Sequence, residues 1–225
     1  MTNTKRIHFN LIIRYLHMAF YHEQIKKLKK QKSRDIIKTI FKNKKVTLQL
    51  VDDSDETVYL LLKWRKKFWN WFDTKFEGSH EETKKWINKK ILSNNERILF
   101  LIIYDEKKIG HIGLDHYNKK DNSIHITDVL RGERGFAPGL MVHVMKVYNK
   151  WIFKNLKISK IQLRVFSDAF QAINCYEKCG MITVNSIPHK RIFTNDGWKW
   201  VKTKLKSDNE YAERYFNIME ILKKV

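Results

Sequence analysis

Apolar residues fall at helical spacing near the start of the chain: Leu11, Ile12, Tyr15, Leu16 and Ala19, then Ile36, Ile37 and Ile40 after a basic run over residues 26–32. The pattern predicts a helical segment over residues 7–41. Such a segment packs on a core, lies on an anionic surface or pairs with a second chain, and packing or pairing is preferred here to membrane binding. The period then drops to two at Val46, Leu48 and Leu50, predicting a strand over 46–51. Asp52-Asp53-Ser54-Asp55 supplies capping side chains for a helix carrying Val58, Leu61, Leu62 and Trp64. Another helix, over 81–92, gathers Trp86, Ile87 and Ile91. Three strand-like runs, 98–104, 108–117 and 123–130, are joined by links of hairpin size and predict an antiparallel meander.

After Leu130 the pattern changes. A glycine-bearing loop over 131–139 leads into an amphipathic helix over 138–156. A strand over 160–166, a helix over 170–179, a strand or hairpin over 191–204 around Asn195-Asp196-Gly197, and a closing helix over 210–224 complete the reading. Helices, then a meander, then strand and helix in alternation predict an α/β (α+β) fold: a mixed, mostly antiparallel central sheet with helices on both faces. The domain layout expected is a basic helical extension over 1–44 and one domain over 45–225.

Charge sharpens this picture. The 225 residues carry a net +21, and residues 1–45 hold 13 Lys/Arg against 2 Asp/Glu. Such a field favours anionic partners: phosphorylated cofactors, nucleotide-linked substrates, nucleic acid or an anionic surface. Two cysteines, Cys175 and Cys179, four apart on one predicted helix, are too few for a disulfide framework and lack the partners of a zinc site. They fit a reducing, cytoplasmic setting and core packing. Arg14 and His17 interrupt the first apolar run, which argues against a signal peptide or a transmembrane segment. No helix-turn-helix, zinc-finger or RNP-like motif marks a specific nucleic-acid binder. A basic nucleic-acid-binding module is therefore the alternative from another class.

The most informative feature is the junction after Val129. Arg134-Gly135-Phe136-Ala137-Pro138-Gly139 turns the chain into a helix, and small residues there let backbone approach an anion. No Gly-Lys-Ser/Thr follows, so the turn is not a P-loop. Arg134-x-x-Ala137-x-Gly139 with Val129 five residues before it, followed about thirty residues later by Ala169-Phe170-Gln171-Ala172-Ile173-Asn174-Cys175-Tyr176-Glu177-Lys178-Cys179-Gly180-Met181, resembles the GNAT superfamily of acyltransferases. The resemblance covers roughly residues 46–205. It departs at Ala137 for the first loop glycine, Ala169 for the usual Asn and Met181 for the usual Phe.

The resemblance implies acetyl-CoA as acyl donor and no metal. It places the cofactor against Val129, Arg131, Arg134, Gly135, Phe136, Ala137, Gly139, Leu140, Ala172 and Tyr176. It implies that the Val129 N–H polarises the thioester carbonyl and that Tyr176 protonates the departing thiolate. Asp128, then His125, are the candidates to take the proton from the attacking amine. Residues 60–65, an aromatic-rich loop with Trp69, Trp71, Phe72 and Phe76, and the His80 to Trp86 segment resemble GNAT enzymes that acetylate nucleotide-linked amino-deoxysugars. On that likeness Arg65, Trp71, Phe72, His80, His111 and His116 are candidate acceptor-binding residues. The acceptor implied is a UDP- or dTDP-linked 4-amino-4,6-dideoxyhexose, with an aminoglycoside or protein amine as alternatives and a homodimer as an admissible assembly.

Overall fold

A computed structural model describes residues 3–75, 78–195, 197–204 and 212–223. The elements run α1 (Asn3–Lys30), β1 (Asp35–Phe41), β2 (Lys44–Leu50), α2 (Asp55–Lys67), a 3-10 turn (Trp69–Trp71), β3 (Thr74–Lys75) and α3 (His80–Trp86), which continues as a π-turn (Ile87–Leu92). They go on through β4 (Ile98–Tyr104), β5 (Lys107–Asn118), β6 (Ser123–Arg131), α4 (Leu140–Asn155), β7 (Lys160–Phe166), α5 (Phe170–Glu177), β8 (Ile182–Thr194), β9 (Gly197–Lys202) and β10 (Arg214–Leu222). The chain divides into two compact units that alternate along the sequence. The first is Met1–Val51, Lys90–Gln162 and Ile221–Val225; the second is Asp52–Lys89 and Leu163–Glu220.

In the first unit β1, β2, β4, β5 and β6 pair antiparallel in that order, and the start of β7 joins β6 in parallel. The predicted meander is β4–β5–β6. Its first turn uses Asp105 and Glu106, both at positive φ (49° and 67°), with Tyr104 opposite Lys107. That is the two-residue hairpin geometry whose twist suits paired strands. Lys42 and Asn43 (φ 48° and 62°) make the same turn between β1 and β2. On α4, Leu140, Val144, Met145, Tyr148 and Ile152 are buried, and Tyr148 meets Phe100 of β4 edge-on at 5.8 Å. Each such aliphatic side chain contributes about 1.5–3 kcal/mol by leaving water.

In the second unit α2 opens on Ser54, whose Oγ accepts the Thr57 N–H, so the expected Asp52–Asp55 cap is real and Ser54 performs it. Ser79 and Glu82 form a reciprocal capping box on α3. Val58, Leu61 and Trp64 of α2 are buried, as are Leu163, Val165, Phe166, Phe216 and Met219 on the strands. β10 pairs antiparallel with β8, β8 with β9, and β9 with the short β3.

Two predicted helices end differently. The helix at the start stops at Lys30, and Ile36, Ile37 and Ile40 lie instead on β1, because the turn at Lys42-Asn43 folds them back along β2. The closing helix is a strand: Arg214 to Glu220 pair with His189 to Ile182. Tertiary pairing overrides a local pattern that reads equally well at either period. Glu210 and Tyr211, where that helix was expected to start, lie outside the described residues, as do Phe76 of the aromatic-rich loop and Asp196 of the hairpin turn. Residues 182–190 of β8 fall outside the expected strands, although Ile182-Thr183-Val184 are β-branched; most of this stretch is exposed.

Candidate active site

The first unit holds the strand–loop–helix junction. Along β5 and β6, His111 faces Leu130 and Gly113 faces Thr127, so Asp128 and Val129 together oppose the single residue Ile112. This is a β-bulge, and Asp128 takes φ +52° within it. A bulge breaks the ladder locally and re-aims the bulged backbone, at the position where the GNAT resemblance implies a carbonyl-polarising N–H on Val129. Gly110 makes room alongside: a Cβ there would meet the Leu130 carbonyl oxygen at 2.1 Å.

The loop that follows alternates in hand. Gly135 (φ 93°), Ala137 (φ 47°) and Gly139 (φ 86°) are left-handed. Backbone of this kind turns N–H groups into a concavity suited to anions. Arg131 fixes the loop from inside: its guanidinium donates to the carbonyls of Glu133 (3.1 Å) and Phe136 and lies over the Phe136 ring. The Phe136 ring stacks on Tyr104 at 6.0 Å. Arg131, expected at the cofactor, is thus a brace for the loop, while Arg134 and Gly135 are exposed. The helix starts two residues later than predicted, at Leu140 with Gly139 as its N-cap, and no side chain caps it. The Leu140 N–H donates to the Ala137 carbonyl at 3.2 Å, and the positive end of the α4 dipole faces this loop. This end of the first unit fits the pyrophosphate of a nucleotide cofactor.

The candidate proton acceptors lie along β5 and β6. Arg97, just before β4, donates to Asp128 Oδ2 at 2.7 Å and lies 3.5 Å from Asp115. Burial opposes ionisation of Asp128, but the charges of Arg97 and His111 and hydrogen bonds from Arg97 and Thr127 outweigh it and hold its pKa below the usual carboxylate range. An ion-paired carboxylate with a depressed pKa is a poor proton acceptor, which corrects the expectation that Asp128 is the base. Its carbonyl oxygen lies 2.6 Å from His111 Nδ1. A carbonyl only accepts, so Nδ1 carries the hydrogen of this bond. His125 pairs instead with His116, ring to ring at 5.7 Å, and His116 Nε2 is 3.9 Å from Asp115. Asp115 links the two sets: it lies beside both Arg97 and His116, and it stands opposite His125 across β5 and β6. Arg97 was missed by the sequence reading; its signal is a lone cation immediately before a fully apolar strand, which needs an anionic partner.

The second unit holds Tyr176 and Ala172 on α5. Tyr176 is buried, and burial first, then Cys175 and Cys179, push its pKa well up, so the hydroxyl stays protonated at neutral pH. The two thiols are hydrogen-bonded to each other, in keeping with their packing role. Arg65 lies over the Phe72 ring at 4.3 Å and donates to the Thr74 carbonyl and hydroxyl. Trp71 is 43% exposed, and Arg214 sits over it, over Phe166 and over Trp200 while pairing with Asp168. Arg65, Trp71 and Phe72 thus belong to one cationic and aromatic neighbourhood, whose further member Arg214 the sequence did not suggest. His80 lies 3.6 Å from Asp55 at the start of α3. Among the described residues, no group of His, Cys, Asp and Glu has the makings of a metal site.

Residues 45–182 match the acetyltransferase (GNAT) domain family, and the chain belongs to that family. It is an acetyl-CoA-dependent N-acetyltransferase with the mixed, mostly antiparallel GNAT fold. Among curated proteins it is 25% identical over 176 residues to the spermidine N(1)-acetyltransferase of Vibrio cholerae serotype O1 (strain ATCC 39315 / El Tor Inaba N16961), covering 76% of this chain and 98% of that one. Its fold is similar to the crystal structure of spermidine N-acetyltransferase from Vibrio cholerae in complex with CoA and spermine (TM-score 0.62, 17% identity, 79% of this chain and 95% of that one). A dodecameric structure of that enzyme in an intermediate state is also similar (TM-score 0.58, 18% identity, 79% and 93%).

Proposed function

We propose that the acceptor is the amino group of an anionic, nucleotide-linked amino-deoxysugar, a UDP- or dTDP-4-amino-4,6-dideoxyhexose. The observation that carries this reading is the state of the acidic residues. Asp115 and Asp128 face Arg97, Asp168 faces Arg214, Asp73 faces Arg164, Glu213 faces Arg191 and Asp55 faces Lys84. A polyamine, an aminoglycoside or a Lys-rich peptide needs carboxylates not already neutralised, and it must approach a chain of net charge +21. A nucleotide diphosphate is drawn by the same field, and the exposed Trp69 and Trp71 offer faces for a base or sugar. The second reading, a polyamine acceptor, is favoured by the name of the 25%-identical relative.

Acetyl-CoA supplies the acetyl thioester. In the first unit the left-handed loop and the uncapped start of α4 hold its pyrophosphate, the bulged Val129 N–H donates to the carbonyl oxygen, and His111 Nε2 takes a proton from the amine. In the second unit the Tyr176 hydroxyl gives its proton to the sulfur that leaves. Homo-oligomerisation belongs to the same reading, since a similar structure is described as dodecameric. A free-thiol release assay tests it, with acetyl-CoA against UDP- and dTDP-linked 3-amino and 4-amino deoxysugars, spermidine, an aminoglycoside and a Lys peptide. Turnover on a nucleotide sugar at least about tenfold faster than on spermidine is expected. Turnover on spermidine alone transfers the enzyme to the polyamine reading.

A further inference from the structure

Helix α1 is docked at one end only. Tyr21, Ile25 and Leu28 are buried; the Tyr21 hydroxyl donates to the Glu96 carbonyl at 2.6 Å, and its ring stacks on Tyr117 at 4.6 Å. Lys29 Nζ donates to the carbonyls of Ile91 and Asn94. Toward the N-terminus the contacts give out. Leu11 (54%), Ile12 (53%), Tyr15 (65%) and Leu16 (59%) are all more than half exposed. At about 100° per residue these four share one face, and the buried Tyr21, Ile25 and Leu28 lie on the opposite side of the same helix. An apolar stripe thus points away from the body that the helix is anchored to.

Charge selects what covers it. No acidic residue precedes Glu23, whereas Lys5, Arg6 and Arg14 are cationic. A second copy would bring the same cations against these, in a chain of net charge +21 with no local carboxylate to pair across the contact. An anionic surface answers both features, since apolar side chains enter it and its negative potential draws a segment of net positive charge with no acidic residue. No helix among the described residues is long and apolar enough to cross a membrane. We propose that the projecting half of α1 is a membrane-surface anchor that lies on anionic lipid through Leu11, Ile12, Tyr15 and Leu16, with the enzyme body on the aqueous side. The segment lies outside the matched family domain, so it is an addition to the catalytic fold.

The test is sedimentation of the full chain with vesicles of phosphatidylcholine alone or mixed with phosphatidylglycerol, at low and high salt. Retention is expected on the mixed vesicles, with little on phosphatidylcholine and a marked loss in 1 M salt, where charges are screened within about 3 Å. Ile12→Asp and Leu16→Asp should each weaken retention at least about tenfold, because an apolar side chain no longer leaves water. Acetyl-CoA binding by both variants should match the parent, which shows that they fold. Retention on neither vesicle, or equal retention of variants and parent, overturns the proposal. A fall in mass by light scattering in the variants without change in vesicle binding assigns the stripe to a second copy. Binding of a fluorescent acidic helical peptide with no vesicle retention assigns it to an acidic protein.

Discussion

Replacing Arg97 with Met removes the guanidinium that pairs with two partly buried carboxylates while keeping much of the length of the side chain. Arg97, Asp115 and Asp128 expose only 18%, 17% and 20% of their side chains. Deleting one member of a fully buried ion pair costs about 3–5 kcal/mol. A fifth of each side chain still meets water, which lowers the expected loss to about 2 kcal/mol at pH 7. The pH dependence distinguishes this cause from lost packing. In the parent, Asp128 has a depressed folded-state pKa, so its contribution is present above the unfolded value of about 3.9 and fades only as pH falls through the folded one. In Arg97→Met the burial stays and the largest attraction goes, so the folded-state pKa rises above the unfolded value. Protonation then favours the folded variant, which regains stability relative to the parent as pH drops from 7 toward 5, because the parent gains nothing from Asp128 in that range. Urea unfolding followed by tryptophan fluorescence at pH 7, 6 and 5 measures the gap. A gap that is constant across these pH values, or below about 0.5 kcal/mol at pH 7, refutes the electrostatic account.

Other expectations concern turnover and the cofactor. Tyr176→Phe should slow thiol release about a hundredfold while leaving acetyl-CoA affinity within about threefold, because it removes a proton donor and no binding contact. Equal turnover removes the acid role. Gly139→Val, at φ 86° where a branched side chain is strained, should weaken acetyl-CoA binding about tenfold by calorimetry and lower folding stability by roughly 1–3 kcal/mol. Unchanged affinity would detach the start of α4 from the cofactor.

The sequence made some of this visible and hid the rest for physical reasons. Asp105-Glu106 and the apolar, strand-like runs on either side announced the β4–β5 hairpin because turn chemistry and strand propensity agreed. The helix after Gly139 was legible from Leu140, Val144 and Tyr148, since one face of it carries the core. β1 and β10 were not, because runs such as Ile36-Ile37 and Tyr215-Phe216 satisfy either period, and partners far along the chain decide between them. In the site, the loop and Tyr176 could be placed from their motifs. The charge state of Asp128 could not, because Arg97 reaches it from 31 residues away. Nor could the φ of +52° that makes Asp128 the bulged residue.

The alternation of the two compact units along the chain governs how the enzyme is born. The second unit takes up residues 52–89 and then waits for 163–220, and the first unit is completed only by 221–225. A ribosome adding about 5–20 residues per second therefore delivers β10, the partner of β8, roughly one to four seconds after β8 itself. Until then β8 presents an open edge, with the exposed Ile182 and Val184 on it, to whatever chains are nearby. The sheet of the second unit therefore closes only once β10 has been made, and a chain interrupted before Arg214 leaves β8 without the partner that covers this edge.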